Sequence, residues 1–280
     1  SHRGEVVGAC TDCRRYWGRF RAEEIDAQEI AEVNNRLVAS VGTCSVMGTA
    51  STMACIAEAL GMTVPGGATP PAVTSDRIRV AEDTGAQAVR MARDGLTIDK
   101  ILTADAFHNA MAVLLAIGGS TNGIVHLTAI AGRVGIKIDL EELDRMGRDT
   151  PVLVDLKPAG QHYMEHFHAA GGMATLLREL KPLLRLNAMT VTGRTLGEEI
   201  DAAPAPFAQD VVRSMANPIY PQGGIAFLRG NLAPGGAIIK QSSAAPALME
   251  HEGRAVVFEN LEDMANRIDL PDLDVRADDV

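Results

Sequence analysis

The stretch Gly42-Thr43-Cys44-Ser45-Val46-Met47-Gly48-Thr49-Ala50-Ser51-Thr52-Met53 sets a cysteine between two glycines, directly ahead of a run rich in Ala and Met. Segment 41–48 carries two glycines and two hydroxyl residues, which interrupt helical periodicity. The run from Ala50 to Leu60 then predicts a helix, closed by Gly61. A cysteine held at such a junction can approach a metal centre closely. Helix N-terminal N–H groups and nearby hydroxyls favour the thiolate and can donate hydrogen bonds to its sulfur. It could equally be a nucleophile, and buried free cysteines are common. The residue pattern alone leaves these readings of Cys44 open.

Upstream of this stretch, Ile25, Ile30, Val33 and Leu37 fall at near-helical spacing and predict a helix over 22–39. Downstream, 63–71 reads as a loop with three prolines and two glycines, followed by predicted helices over 77–93 and 104–117. Gly118-Gly119-Ser120-Thr121-Asn122-Gly123 separates that last helix from another over 124–134. Pro151–Leu156 reads as a short buried strand, and helical signals return over 162–168 and 173–180. Short strands alternating with helices point to an α/β class with a parallel sheet. After about residue 185 the texture changes: Met189–Thr192 alternates, and Ile225–Leu228, Ala237–Ile239 and Ala255–Phe258 read as strands between Gly and Pro turns. The expected organisation is a helix-rich α/β domain over 1–200 and the start of a β-barrel-like domain over 201–280, with the last part cut short.

Composition narrows the function classes. The 280 residues carry a formal charge of −10, which excludes a general polyanion binder and hence a nucleic-acid partner. No apolar run approaches the roughly 20 residues of a membrane span, and the first residues lack a signal-peptide core, so neither membrane nor export is expected. Four cysteines in so long a chain argue against a disulfide scaffold and for a reducing cytoplasm.

Three segments together resemble one family. The run from Gly42 to Pro65, including Ala54-Cys55-Ile56-Ala57-Glu58-Ala59-Leu60-Gly61, is similar to the third-cysteine motif of the dihydroxy-acid and phosphogluconate dehydratases. Ala116-Ile117-Gly118-Gly119-Ser120-Thr121-Asn122 with His126-Leu127, and Gly230-Asn231-Leu232-Ala233-Pro234-Gly235-Gly236-Ala237 with Lys240, match further motifs in the same order. The run Cys10-Thr11-Asp12-Cys13-Arg14-Arg15-Tyr16-Trp17-Gly18 resembles the sugar-acid branch. The resemblance implies that Cys44 ligates an iron–sulfur cluster, two-iron favoured over four-iron, and that Cys55 is core. It also implies magnesium, a homodimer or homotetramer, and a site enclosed between two domains. The family's other two cluster cysteines and an Asp and Lys for magnesium are expected upstream of residue 1. A magnesium-binding Glu and the serine base are expected beyond Val280. No catalytic base is therefore expected within this chain, which alone should be inactive and should not hold a stable cluster.

In that family a cluster iron acts as Lewis acid on a departing C3 hydroxyl, magnesium binds the carboxylate and C2 hydroxyl, and a serine alkoxide takes the C2 proton. The resemblance thus implies dehydration of an aldonic acid to a 2-keto-3-deoxy acid, with dihydroxy acids of branched-chain amino-acid synthesis as the alternative. Ser45, Ser120, Thr121 and Asn122 are candidates for substrate or cluster surroundings, against the plainer reading that the last three cap a helix. His126 lies among apolar neighbours and reads as a core histidine. Lys240 is either a surface cation or faces a substrate carboxylate. A reading of another class comes from His162, Glu165 and His166, with His168 beside them: His-x-x-Glu-His resembles an inverted zinc-protease motif, so a zinc hydrolase is a second expectation. The Cys10/Cys13 pair lacks the second ligand pair of a structural zinc site. A non-catalytic, partner-packing fragment is the third reading.

Overall fold

A computed structural model of the chain describes every residue except Cys10 and Ala39. Among the described residues the order is α1 (Thr11–Arg21), α2 (Ala27–Asn34), α3 (Thr49–Ala59), α4 (Ser75–Asp94), α5 (Ile98–Ile101), α6 (Ala104–Ala116), α7 (Asn122–Arg133) and α8 (Leu140–Asp149). Then come α9 (Met164–Ala169), α10 (Gly172–Leu180), α11 (Leu196–Ala202), β1 (Ala226–Leu228), β2 (Ala237–Ile239) and α12 (Leu261–Arg267). No helix is long and apolar enough to cross a membrane among the described residues.

The expected helices around residues 50–60, 77–93, 104–117 and 124–134 are present as α3, α4, α6 and α7. The helix expected over 22–39 shortens to α2, because Asp26 turns the chain and caps it by accepting the Glu29 N–H at 2.8 Å. The chain divides into two compact units, Ser1–Ser243 and Ala244–Val280. In the second unit, Asn260 caps α12 by accepting the Asp263 N–H at 3.0 Å, and Arg254 pairs with Asp274 and Asp279.

The parallel sheet and the barrel-like start are corrected: the structure is helix-rich, and the only sheet among the described residues is β1 against β2, antiparallel. Its register pairs Ala226 with Ile239, Phe227 with Ile238 and Leu228 with Ala237. Pro151–Leu156 is buried as expected, but its backbone is divided among several neighbours. The Leu153 N–H donates to Ala116 C=O at 2.9 Å, Asp155 N–H to Val211 C=O at 2.8 Å and Val152 N–H to Tyr220 C=O at 2.9 Å. A segment satisfied piecemeal by a helix end and irregular chain satisfies its donors without a ladder. Ala255–Phe258 forms no strand; there the Val256 N–H donates to Val280 C=O.

The core is built around α6, whose Ala106, Phe107 and Ala110–Ala116 are all buried. Over Ala110–Ala116 the helix is apolar on every side and must be covered on every side, and α3, α7, α8 and α10 pack on it. Its one interior polar residue, Asn109, is satisfied by Arg185: Nδ2 donates to the C=O at 3.0 Å and Oδ1 accepts the N–H at 2.7 Å. Full burial of Phe107 alone contributes about 1.5–3 kcal/mol relative to exposure.

Behind α3, the loop over 63–71 is fixed by the buried Glu58 carboxylate, which accepts the Gly66 N–H at 2.8 Å and the Ala68 N–H at 2.9 Å. Burial raises Glu58 to about 7 from an ordinary 4.5, although the two N–H groups favour the charged form. The folded value lies above the unfolded one, so the linked stability is complete below about pH 4.5 and is lost as pH rises through about 7. Glu58→Gln removes this titration. Urea denaturation should find the stability difference, unaltered chain minus variant, falling by on the order of 3 kcal/mol from pH 4.5 to 8. A pH-independent difference would show that Glu58 is not strained by its burial.

Candidate active site

Between α2 and α3 the chain loops through Gly42–Gly48, and this loop borders a cavity of about 360 Å³. Thr43, Cys44, Ser45, Ser51, Arg77 and Tyr163 are among its walls, together with apolar groups from Val6, Val7 and Ala54. Cys44 is half-buried, with Sγ 3.9 Å from Val46 O, and a Cβ on Gly48 would stand 3.3 Å from the sulfur. Gly48 is the N-cap of α3, so the thiol lies against a helix N-terminus, as its sequence setting predicts.

Two backbone bonds grip the loop just after Cys44, at Ser45 and at Met47. The Met47 N–H donates to Lys157 C=O at 2.8 Å, and the Met164 N–H donates to Ser45 C=O at 2.7 Å. The side chains of the gripping segment converge on Asp12 of α1. Lys157 Nζ donates to the Tyr163 oxygen at 2.8 Å and stands 3.6 Å from Asp12 Oδ2. The Tyr163 O–H lies between two acceptors, Val6 C=O at 3.0 Å and Asp12 Oδ2 at 3.1 Å. Burial by itself would raise the Asp12 pKa; the Gly8 N–H, Lys157, Tyr163 and Arg15 together hold it below its ordinary value. Burial raises Tyr163, so its phenol stays protonated at neutral pH.

The second sequence motif meets the first at the start of α3. Thr49 Oγ1 lies 3.0 Å from Ser120 Oγ and accepts from Asn122 Nδ2 at 3.0 Å, while buried Thr52 Oγ1 accepts the Ser120 N–H at 3.0 Å. Ser120 Oγ also accepts the Asn122 N–H at 3.2 Å at the opening of α7, while Thr121, at the N-cap position, makes no capping bond with its side chain. Gly119 permits the approach: a Cβ there would come 2.7 Å from Leu114 Cδ1 and 2.9 Å from Thr52 Cγ2. The third motif lies apart, as the turn between β1 and β2 with Leu232 fully exposed. Lys240 just after it is half-buried, and burial lowers its pKa.

The histidine-rich helix does not assemble a metal site. His166 Nδ1 accepts the Tyr163 N–H at 3.1 Å as part of a cap, and His168 bridges Thr69 and Asp76 at 3.1 Å each. His162 faces Asp155 at 3.9 Å, and Glu165 is exposed. The His162 and His166 rings also meet edge to face, with centroids 5.5 Å apart. His126 is exposed on α7, which corrects its reading as a core residue. Cys55 is fully buried, and burial pushes its thiol pKa up. Cys13 is a half-buried free thiol on α1; Cys10 lies outside the described residues. Among the described residues no group of three His, Cys, Asp or Glu could hold a metal ion. Among the described residues, then, His162, Glu165 and His166 do not make up a zinc site.

Residues 2–199 match the family model described as dihydroxy-acid/6-phosphogluconate dehydratase N-terminal, and residues 210–280 match the C-terminal one. Similar proteins include the L-arabonate dehydratase of Azospirillum brasilense, 45% identical over 99% of this chain and 48% of its own length. The L-arabinonate dehydratase of Rhizobium leguminosarum bv. trifolii (strain WSM2304) is 44% identical over 98% of this chain and 47% of its own. A dihydroxy-acid dehydratase of Caldicellulosiruptor bescii is 44% identical over 90% of this chain and 46% of its own. The chain spans about half the length of the curated relatives it matches.

The junction of the two motifs can be tested at Thr52. Thr52→Val keeps the shape and leaves the Ser120 N–H without its acceptor. Denaturant titration should show a loss of about 1–3 kcal/mol, with faster amide exchange at Ser120. A neutral substitution would show that this bond does not join the motifs.

Proposed function

Because the chain belongs to the dihydroxy-acid/6-phosphogluconate dehydratase family, we propose that the complete protein is a hydro-lyase that converts an aldonic acid to a 2-keto-3-deoxy acid. The observation that carries this reading is the placement of Cys44, on the wall of a cavity lined by hydroxyls and apolar groups and at the N-terminus of α3. In this reading Cys44 supplies one thiolate to an iron–sulfur cluster and moves no proton itself. The cluster, when bound, would offer a Lewis-acidic iron for the leaving hydroxyl, with magnesium for the carboxylate. The other cluster ligands, the magnesium ligands and the serine base belong to the half of the protein outside these 280 residues.

The residues of this chain have the supporting tasks. Ser45 and Thr43 put hydroxyls at the cavity beside Cys44. Ser120 and Asn122 brace Thr49 at the first turn of α3, and Thr121 stands between them. Tyr163, protonated and facing the same cavity, can donate or orient but is poorly suited to accept a proton. A pentonate or hexonate suits a wall of hydroxyls interleaved with apolar groups. The run from Cys10 to Gly18 and the relatives named for arabonate favour a sugar acid. The dihydroxy-acid relatives support the second reading, a 2,3-dihydroxy acid as substrate. A cytoplasmic location and a homodimer or homotetramer belong to the same proposal.

The test is iron and acid-labile sulfide content with the visible spectrum, on anaerobically purified complete protein and on the 280-residue chain. Iron present in the complete protein and lost with Cys44→Ser is the expected result; zinc insensitive to Cys44 would sink the reading. Assayed on both substrate classes, the complete protein should prefer an aldonate by at least about tenfold in kcat/KM, which corresponds to about 1.4 kcal/mol of transition-state binding. The reverse preference would establish the dihydroxy-acid reading.

A further inference from the structure

Asp12 of α1 is an enclosed acid, with its side chain 3% exposed. One of its oxygens, Oδ2, accepts the Gly8 N–H at 2.8 Å and faces Lys157 Nζ and the Tyr163 O–H; the other, Oδ1, accepts from Arg15 Nη2 at 3.1 Å. Both residues on the Oδ2 side lead to the loop just after Cys44. Lys157 carries the carbonyl that receives the Met47 N–H, and Tyr163 precedes the amide that donates to Ser45. Steric contact adds a third link. A Cβ on Gly8 would come 2.8 Å from Tyr163 Cε1 and 2.9 Å from Ser45 Oγ, so segment 6–8 lies directly on the ring and on the cysteine loop.

We propose that Asp12 is a positioning residue for Cys44: it holds Lys157 and Tyr163 together, and the backbone of their segment fixes the loop at Ser45 and Met47, directly after the thiol. A buried carboxylate shared between an ammonium and a phenol is worth more than either bond in water, and its removal leaves Lys157 facing a hydroxyl alone. The consequence for catalysis rests on the reading of Cys44 as cluster ligand, whereas the consequence for the loop does not. Asp12 does not touch the cysteine; its influence passes entirely through residues 157 and 163.

The experiment uses the 280-residue chain with Cys10→Ser and Cys13→Ser, which leaves Cys44 as the accessible thiol because Cys55 is buried. Amide exchange and the rate of iodoacetamide alkylation are measured with and without Asp12→Asn, and again with Tyr163→Phe, which removes only the hydroxyl. Expected are exchange at Met47 and Met164 and alkylation of Cys44 faster by about tenfold or more, with α6 amides unchanged. The double variant should add little to either single one. Faster exchange confined to α1 would overturn the proposal, because Asp12 would then only anchor its own helix. Uniform acceleration reaching α6, or additive single effects, would overturn it too. In the complete protein, Asp12→Asn should also speed iron loss to a chelator. Faster alkylation without faster iron loss would refute the role of Cys44 as ligand and leave the positioning role standing.

Discussion

A helix whose last seven residues, Ala110–Ala116, are all apolar cannot rest on a surface there; it has to be enclosed, and α6 imposes that demand on the larger unit. The cover on one side is α3, which is itself small-faced: Ser51, Thr52, Cys55 and Ala59 are its buried positions along with Ile56 and Glu58. Small side chains allow helices to approach closely, and the chain leaving α6 exploits this by crossing α3 at Gly119, where no Cβ would fit between Leu114 and Thr52. The position of the N-terminus of α3 is thereby fixed by core packing, not by its own loop. Cys44 inherits that position, because its sulfur lies against the N-cap glycine of the same helix.

The loop carrying Cys44 has little hydrophobic anchorage of its own beyond Val46 and Met47, which are buried. What holds it is polar: two backbone bonds from the 157–164 segment, and behind them the Asp12, Lys157 and Tyr163 cluster. This division of labour has a physical rationale. Apolar packing places an element to within the slack of side-chain rotamers, whereas short hydrogen bonds fix direction as well as distance. A group that must meet a metal at one bond length benefits from the second kind of restraint. The cavity beside it is bounded partly by loop backbone, with Arg77 spending its guanidinium on Gly67 C=O and Pro70 C=O, so the loop over 63–71 is tied to α4 as well as to Glu58.

Sequence reasoning reached the helices whose apolar spacing is long and regular, α3, α4, α6 and α7, and the cysteine loop between Gly42 and Gly48. It passed over α8 and α11, although each carries a readable start. Asp139 caps α8 through the Glu141 N–H, and Thr195 with Glu198 forms a capping box on α11. It invented a sheet from Pro151–Leu156, because a buried apolar run reads as a strand whether its hydrogen bonds go to one neighbour or to three. At the site, Cys44, Ser45 and Ser120 were visible from glycine and hydroxyl punctuation. The pairing of Asp12 with Lys157 was not, since it spans more than a hundred residues and the run that contains Asp12 drew attention to its cysteines. Tyr163 sat inside a motif that drew attention to its histidines instead, and those histidines turned out to cap and bridge.

That separation in sequence bears on how such a site can be assembled. The grip on Cys44 joins residue 12, residues 44–47 and residues 157–164, all within the first compact unit and all within the segment that matches the N-terminal family model. A cysteine position settled by long-range contacts inside one unit needs no metal to fix it, so in the proposed cluster binding this loop would not have to be ordered. Ligands contributed from other parts of the protein would then bear the ordering entropy instead, which is where metal affinity and folding become coupled. In such an arrangement the pre-positioned cysteine acts as the fixed point against which the remaining ligands close. The polar support from Asp12, Lys157 and Tyr163 stands apart from the stability of the fold, which resides in the apolar enclosure of α6.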